Sequence, residues 1–328
     1  MNGKIRVLIT RDFPGAGLEI LDRNGFDLDP WEKDRPMTPR ELVSRAKNCQ
    51  AMVCTLTEKI DKAFITANPQ LEMISQFAVG FDNIDVDFAT KAKIPVGFTP
   101  DTMTEATADI AFGLMIATAR KMFFLHKKIL RGEWGFFRPR ANLGMELRNK
   151  TLGIFGMGRI GMQMARLCKA AYDMKVIYHN RSRNMEAENL LNAQWVEFDT
   201  LAAQSDVVSV HSVLSPETRG IFNGQAFARM KSSAIFINTA RGPIHNEADL
   251  LQALELKEVW GAGLDVTDTE PMDRGNPLLS MENVCILPHV GSATQEARDN
   301  MSVRAAENIV EFYRTGRVPF LVNPRVFD

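Results

Sequence analysis

The stretch TLGIFGMGRIG, Thr151 to Gly161, decides how this chain is read. Its first five residues form a short apolar run suited to a buried strand, and Arg159 opens the helical pattern RIGMQMARLCKAA. Between the two, Gly156, Gly158 and Gly161 stand at the spacing G-x-G-x-x-G. The first glycine permits a tight turn, the second lets a pyrophosphate approach the backbone, and the third lets helix and strand pack closely. A helix that starts there presents free N–H groups and a positive dipole end to phosphate, which adds Arg159 and Ile160 to the candidate contacts. A lone glycine motif is weak evidence. Here a strand precedes it, a helix follows, and a second strand comes about 20 residues on, which is the context dinucleotide binding requires.

Outward from this motif the pattern alternates between periods of two and 3.6 residues along the whole chain, which implies βαβ units and parallel sheets, an α/β fold. Before it, strands are expected at Lys4–Thr10, Ala51–Leu56, Leu71–Phe77 and Pro95–Phe98. Helices are expected at Ala16–Arg23, at Asp61–Ala67, at Asp85–Lys93 and from a Thr38-Pro39-Arg40-Glu41 capping box to Asn48. One long helix is expected from Thr104 to about Leu130. After the motif, strands are expected at Val176–His179, Trp195–Phe198, Val207–Ser212, Ala234–Asn238, Gly261–Val266 and Val284–Leu287, then a helix over Ala293–Tyr313 and a short strand at Pro319–Val322. Residues Arg131 to Leu147 break the pattern, with three glycines, a proline and three aromatics. Trp134, Phe136 and Phe137 would expose apolar area there, so the segment is read as an arm that packs on a second subunit, against the plainer reading of an irregular surface loop.

The 328 residues exceed what one core usually serves, so two domains are expected. Lys and Arg total 39 against 40 Asp and Glu, which gives no electrostatic reason to expect nucleic acid or an anionic membrane as partner. No apolar run reaches the roughly 18 residues needed to span a bilayer. The N-terminus MNGKIRVLIT has no signal-peptide core, so a cytoplasmic protein is expected. Cys49, Cys54, Cys168 and Cys285 fit no zinc or disulfide spacing; buried thiols and no metal are expected.

The end of the second strand of the dinucleotide unit bears on the cofactor. An acid there would bind the ribose 2′-hydroxyl of NAD; the chain reads Tyr178-His179-Asn180-Arg181-Ser182-Arg183, with Asn180 at the acid's position. Arginine suits a 2′-phosphate through charge-assisted hydrogen bonds. NADP(H) is therefore favoured, with NAD(H) possible should Arg181 and Arg183 be solvated loop charges. Three further segments follow later strands, where open α/β sheets bind ligands: NTARG (Asn238–Gly242), Asp265 to Glu270-Pro271, and PHVGSAT (Pro288–Thr294). Reduction of a carbonyl by hydride needs a proton for the oxygen, and a substrate carboxylate needs a cation. His289 is the natural donor, Glu270 can keep it charged if the fold brings the two together, and Arg241 can hold carboxylate and carbonyl oxygen. Spacing alone does not assign these roles, and a single histidine after a strand is more often structural.

These segments carry a resemblance to the D-isomer-specific 2-hydroxyacid dehydrogenases over nearly the whole chain. The matching stretches are VGFDNID (Val79–Asp85), TEATADIAFGLMIATAR (Thr104–Arg120), the glycine motif, HSVLSPETRGIFN (His211–Asn223), FINTARGP (Phe236–Pro243), GAGLDV (Gly261–Val266), Glu270-Pro271 and PHVGSAT. The resemblance implies that His289, Glu270 and Arg241 form the catalytic trio. Val79 and Gly80 would offer N–H groups to the substrate carboxylate, beside Arg241 and His289. Asp265 would meet the nicotinamide carboxamide, Thr239 and Ala240 would lie along the nicotinamide, and Thr107 and His211 would join the cofactor contacts. It implies two doubly wound parallel-sheet domains, Rossmann-like and flavodoxin-like: a discontinuous substrate domain of 1–100 with 292–328 and a dinucleotide domain of 101–291, with the active site in the cleft between and a homodimer joined through the cofactor domains.

Within that family the Asn-Arg-Ser-Arg run most resembles NADPH-dependent glyoxylate and hydroxypyruvate reductases, so reduction of a small 2-oxo acid to a D-2-hydroxy acid is expected. Glu270 speaks against formate, whose related dehydrogenases carry glutamine there and need no acid. The same fold also serves 2-ketogluconate-type, branched 2-oxo acid, 3-phosphoglycerate and phosphite dehydrogenases, and dinucleotide-sensing corepressors.

Overall fold

The computed structural model describes residues 4–328. It resolves into two units, the chain up to Met103 with Ala293–Asp328, and Thr104–Ser292. In chain order the first unit holds β1 (Arg6–Ile9), α1 (Gly15–Arg23), β2 (Asp27–Pro30), α2 (Pro39–Ala46), β3 (Ala51–Cys54), α3 (Lys62–Ala67), β4 (Met73–Gln76), α4 (Val86–Lys91) and β5 (Val96–Gly97). The second holds α5 (Thr104–Ala119), α6 (Met122–Leu130), β6 (Thr151–Phe155), α7 (Arg159–Tyr172), β7 (Lys175–His179), α8 (Met185–Leu191), β8 (Gln194–Trp195), α9 (Phe198–Gln204) and β9 (Val207–Val210), then α10 (Gly224–Arg229), β10 (Ile235–Asn238), α11 (Glu247–Glu255), β11 (Gly261–Leu264) and β12 (Val284–Ile286). Helix α12 (Gln295–Thr315) returns the chain to the first unit.

Both sheets are parallel throughout. The first has the order β2-β1-β3-β4-β5, and the second β12-β11-β10-β9-β6-β7-β8. Parallel sheets are covered on both faces, and their strands read as continuous apolar runs. Alternation along the strands divides the second unit into two cores: Leu152, Ile154, Ile235 and Ile237 face α5 and α7, while Phe155, Val208, Val210 and Phe236 face the side of α9, α10 and α11. The order reverses between β6 and β9, and the glycine loop leaves β6 at that point.

Four expectations are corrected. The helix from Thr104 to Leu130 is two helices, because Lys121 adopts a left-handed backbone (φ 53°). Its ammonium is held by Glu282 at 2.8 Å and over the Trp260 ring, so tertiary contacts turn the chain where no glycine or proline marks a break. Strand β2 was not expected, since FDLDP mixes charges and a proline; it is an edge strand, which tolerates proline, and Asp29 is buried against Arg6 and Arg45. Trp195–Phe198 shortens to Gln194–Trp195, and Phe198 starts α9. Pro319–Val322 forms only a single antiparallel bridge, Leu321 to Gly97. The capping box is present, with Glu41 N–H donating to Thr38 Oγ1 and Thr38 N–H to Glu41 Oε2. The four cysteines are buried and unbridged. Among the described residues no helix is long and apolar enough to cross a membrane.

Helices α1 and α12 meet at Gly17, whose N–H donates to Ser302 Oγ. A Cβ on Gly17 would lie 2.1 Å from the Ser302 carbonyl oxygen, so the helices would have to part. Gly17→Ala is expected to destabilise the protein by about 1–3 kcal/mol, as overpacked sites do. Thermal unfolding checks this, and an unchanged Tm would mean the two helices separate at no cost.

Candidate active site

The three glycines of the β6–α7 turn differ in what surrounds them. Gly156 has φ 99°, and a Cβ there would lie 2.5 Å from the Ser212 nitrogen. A Cβ on Gly161 would lie 2.5 Å from the Gly156 carbonyl oxygen and 2.9 Å from Ile154 Cγ2, so this glycine lets helix and strand close up. A Cβ on Gly158 would meet nothing within 4 Å; that side of the loop is open. Gly158 caps α7 without a side-chain hydrogen bond, with Arg159 exposed and Ile160 half-buried in the first turn. Two buried hydroxyls at neighbouring strand ends, Ser212 Oγ after β9 and Thr239 Oγ1 after β10, have no hydrogen-bond partner among the described residues. An open face at the N-terminus of α7 and unsatisfied polar groups at the carboxyl edge fit a dinucleotide. Ser212 was not singled out from sequence; its position just past a strand end was the only available signal.

The loop after β7 distributes its candidates unequally. Asn180 Oδ1 accepts from Met157 N–H at 2.6 Å, and Asn184 Nδ2 donates to Met157 O at 2.9 Å. Asn180 therefore braces the glycine loop. Arg183 forms two hydrogen bonds to the Glu188 carboxylate, which also accepts from Tyr178 Oη at 2.7 Å. Arg181 and Ser182 are exposed. Glu217 is held below the usual carboxylate range chiefly by the Ser215 hydroxyl, with a contribution from the charge of Arg181. Two further residues expected at the cofactor make protein contacts: Thr107 Oγ1 donates to Gly291 O at 3.0 Å, and His211 Nε2 lies 2.8 Å from Ser209 Oγ. Desolvation pushes His211 down to about 3, so its ring is neutral, although part of the residue reaches solvent.

The structure brings Arg241, Glu270 and His289 together on loops after β10, β11 and β12. His289 Nδ1 is 2.8 Å from Glu270 Oε2, with the two side chains 37% and 40% exposed. Burial acts to raise the Glu270 carboxyl, but the hydrogen bond and charge of His289, the Thr267 N–H and the charge of Arg241 outweigh it, and the net shift is downward. Gly242 makes the approach of the loops possible, because a Cβ there would lie 1.8 Å from the Thr267 carbonyl oxygen. Glu270-Pro271 is a cis peptide. Ala240 N–H donates to Asn238 Oδ1, and Arg241 Nη1 donates to Ala240 O.

His289 has a left-handed backbone, φ 54°, unusual for any residue but glycine. Asp265, 1% exposed, holds it there: its carbonyl accepts from His289 N–H, Oδ1 from Val290 N–H at 2.8 Å and Oδ2 from Gly291 N–H at 2.7 Å. Desolvation raises the Asp265 carboxyl, against these two N–H groups. Its carboxylate thus secures the His289 turn, a use that sequence did not disclose. Val79 and Gly80 lie in the first unit on the bend after β4, half-buried, where Gln76 Nε2 donates to Gly80 O at 3.2 Å.

A parallel sheet with a glycine-rich turn at its reversal and an acid–histidine pair at its carboxyl edge defines a dinucleotide-dependent oxidoreductase. The chain belongs to the D-isomer specific 2-hydroxyacid dehydrogenases, whose NAD binding domain pattern matches residues 112–291. It is 42% identical over 322 residues to glyoxylate/hydroxypyruvate reductase B of Salmonella typhi, covering 98% of this chain and 99% of that one. It is 40% identical over 324 residues to the glyoxylate reductase of Korarchaeum cryptofilum, with 98% and 97% covered. Among solved structures it resembles the NADPH-dependent glyoxylate/hydroxypyruvate reductase of Sinorhizobium meliloti in complex with NADP and malonate, with a TM-score of 0.86, 29% identity and 99% and 98% of the chains covered.

The lowered Glu270 carboxyl makes a pH-dependent contribution to stability. A depressed acid stabilises the fold fully above its unfolded value, about 4.3, and the contribution is lost as pH falls through the folded value. Tm measured against pH for the wild type and Glu270→Gln should therefore differ near neutrality and converge in acid. A gap that stays constant over that range would show that the charge of Glu270 contributes nothing.

Proposed function

We propose that this enzyme reduces glyoxylate or hydroxypyruvate to the 2-hydroxy acid, of D configuration where the carbon is stereogenic, with NADPH preferred over NADH. The observation that carries the reading is the 2.8 Å contact of His289 Nδ1 with Glu270 Oε2 in a chain 40% and 42% identical, over 98% of its length, to two named reductases of these acids. Gly156, Gly158 and Gly161 would hold the pyrophosphate at the N-terminus of α7, with Arg159 and Ile160 in its first turn. Thr239, Ala240 and the hydroxyl of Ser212 would line the nicotinamide side. Arg181 and Ser182 would take the 2′-phosphate, with Arg183 in a lesser part because Glu188 already pairs it. When bound, the reduced nicotinamide supplies the hydride.

The residues of the chain supply the remainder. Glu270 on Nδ1 fixes the ring and sets a carboxylate beside it, which leaves Nε2 to give its proton to the substrate oxygen as the carbonyl carbon is reduced. Loss of that proton leaves a neutral imidazole whose Nδ1–H still donates to Glu270. Arg241 holds the substrate carboxylate and orients the carbonyl. For the first unit we propose a part in carboxylate binding through the N–H groups of Val79 and Gly80. The segment 131–147 has no helix or strand and exposes Trp134 (80%), Phe136 (77%) and Phe137 (87%), which supports a homodimer joined through it.

Absorbance at 340 nm with glyoxylate and hydroxypyruvate, each with NADPH and NADH, tests the reading: oxidation is expected with at least one acid and faster with NADPH. Turnover with neither acid would send the search to larger 2-oxo acids. His289→Ala should lower kcat by about 10²- to 10⁴-fold while cofactor affinity holds, and near-normal turnover would remove His289 from the proton step. Sedimentation equilibrium should give twice the 36.8 kDa chain mass; a monomer at working concentration would discard the arm as an interface.

A further inference from the structure

Beneath Arg241 lies a buried polar pair that the chemistry above does not use. Asn238 ends β10 with no exposed surface. Its Oδ1 accepts from Ala240 N–H at 2.9 Å, and its Nδ2 donates to the Arg241 carbonyl at 2.9 Å while lying 3.0 Å from His245 Nδ1. The first two bonds fix the orientation of the amide, since a donor and an acceptor face it on opposite sides. The second hydrogen on Nδ2 then points to His245, and Nδ1 of that ring must accept. The ring proton is on Nε2, which has no partner among the described residues. His245 is 2% exposed, and burial pushes it down to about 4, in keeping with a neutral ring. Its own N–H donates to Gly242 O at 3.0 Å, closing the 3-10 turn that follows Arg241.

A buried N–H left unpaired is costly, and an aliphatic residue at 245 would avoid that particular orphan. It would also withdraw the acceptor that holds one hydrogen of Asn238, and with it one side of the clamp on the Arg241 peptide. We infer that His245 is a positioning residue: through Asn238 it fixes the Arg241 backbone, and so the aim of the guanidinium at the substrate carboxylate. The inference rests on the proposed role of Arg241 as carboxylate anchor.

The test uses the NADPH-loaded enzyme, with glyoxylate as substrate and oxalate as an unreactive diacid whose binding is read by calorimetry. His245→Leu should raise the KM for glyoxylate and the Kd for oxalate about tenfold, more than it lowers kcat, and leave the NADPH Kd unchanged. His245→Gln, whose Oε1 can accept from Asn238, should restore both values to near wild type. A folded His245→Leu enzyme with unchanged KM and oxalate Kd overturns the inference. If that variant does not fold, His245→Gln decides: near-wild-type values support the inference, and a tenfold loss overturns it. Arg241→Lys separates the two readings. If it leaves KM and oxalate Kd unchanged, the anchor reading fails; if it raises both while His245→Leu raises neither, only the positioning role fails.

Discussion

The carboxylate of Asp265 accepts from the consecutive N–H groups of Val290 and Gly291, and the placement of His289 depends on those two bonds. They are charge-assisted bonds made in a buried setting, where they are stronger than their equivalents in water. They tie the end of β11 to the turn after β12, while Thr107 on α5 ties the same turn from the other side through Gly291 O. With the turn secured at both flanks, His289 presents its ring to Glu270. The ionisable pair is partly open to solvent, as a site that exchanges protons requires, and its support is buried.

The same division recurs around Arg241. The guanidinium belongs to a half-exposed loop, but the loop's backbone is held by Asn238, a fully buried amide at the end of a central strand. At the other end of the proposed cofactor site, Asn180 and Asn184 hold the peptide of Met157 within the glycine turn. In each case a short polar side chain near a strand end fixes a functional loop. A parallel sheet favours this arrangement, since every strand ends at the same edge and each loop can lean on the strand beside it.

Much of this was legible in the sequence, for reasons that differ between residues. Strand Thr151–Phe155 and the glycine turn were readable because buried parallel strands are uniformly apolar and the turn needs glycine at 156 for its positive φ and at 161 for close approach to Ile154 and Gly156. The trio was nameable by chemistry and by family likeness. The break at Lys121 was not, since a salt bridge to Glu282, 161 residues away in the chain, holds it. Nor was the unequal status of Arg181 and Arg183, which depends on Glu188 reaching back from α8. Sequence reading and family likeness assigned Asp265, Thr107 and Asn180 to the cofactor, and the structure adds a hydrogen bond that each makes within the protein. Polar residues near a site carry the same signature in sequence whether they touch a ligand or brace a loop, and one side chain can do both.

The left-handed backbone of His289 has a consequence for how this enzyme would drift under selection for robustness alone. A side chain with a Cβ in that region carries roughly 1–2 kcal/mol of conformational cost, which glycine does not bear and asparagine bears less. A screen that scored folding and ignored turnover would therefore favour glycine or asparagine at 289 on backbone grounds, at the expense of the contact with Glu270. The site's chemistry and the chain's ease of folding pull in opposite directions at this one residue, so thermostable variants of this enzyme are best sought elsewhere in the sequence.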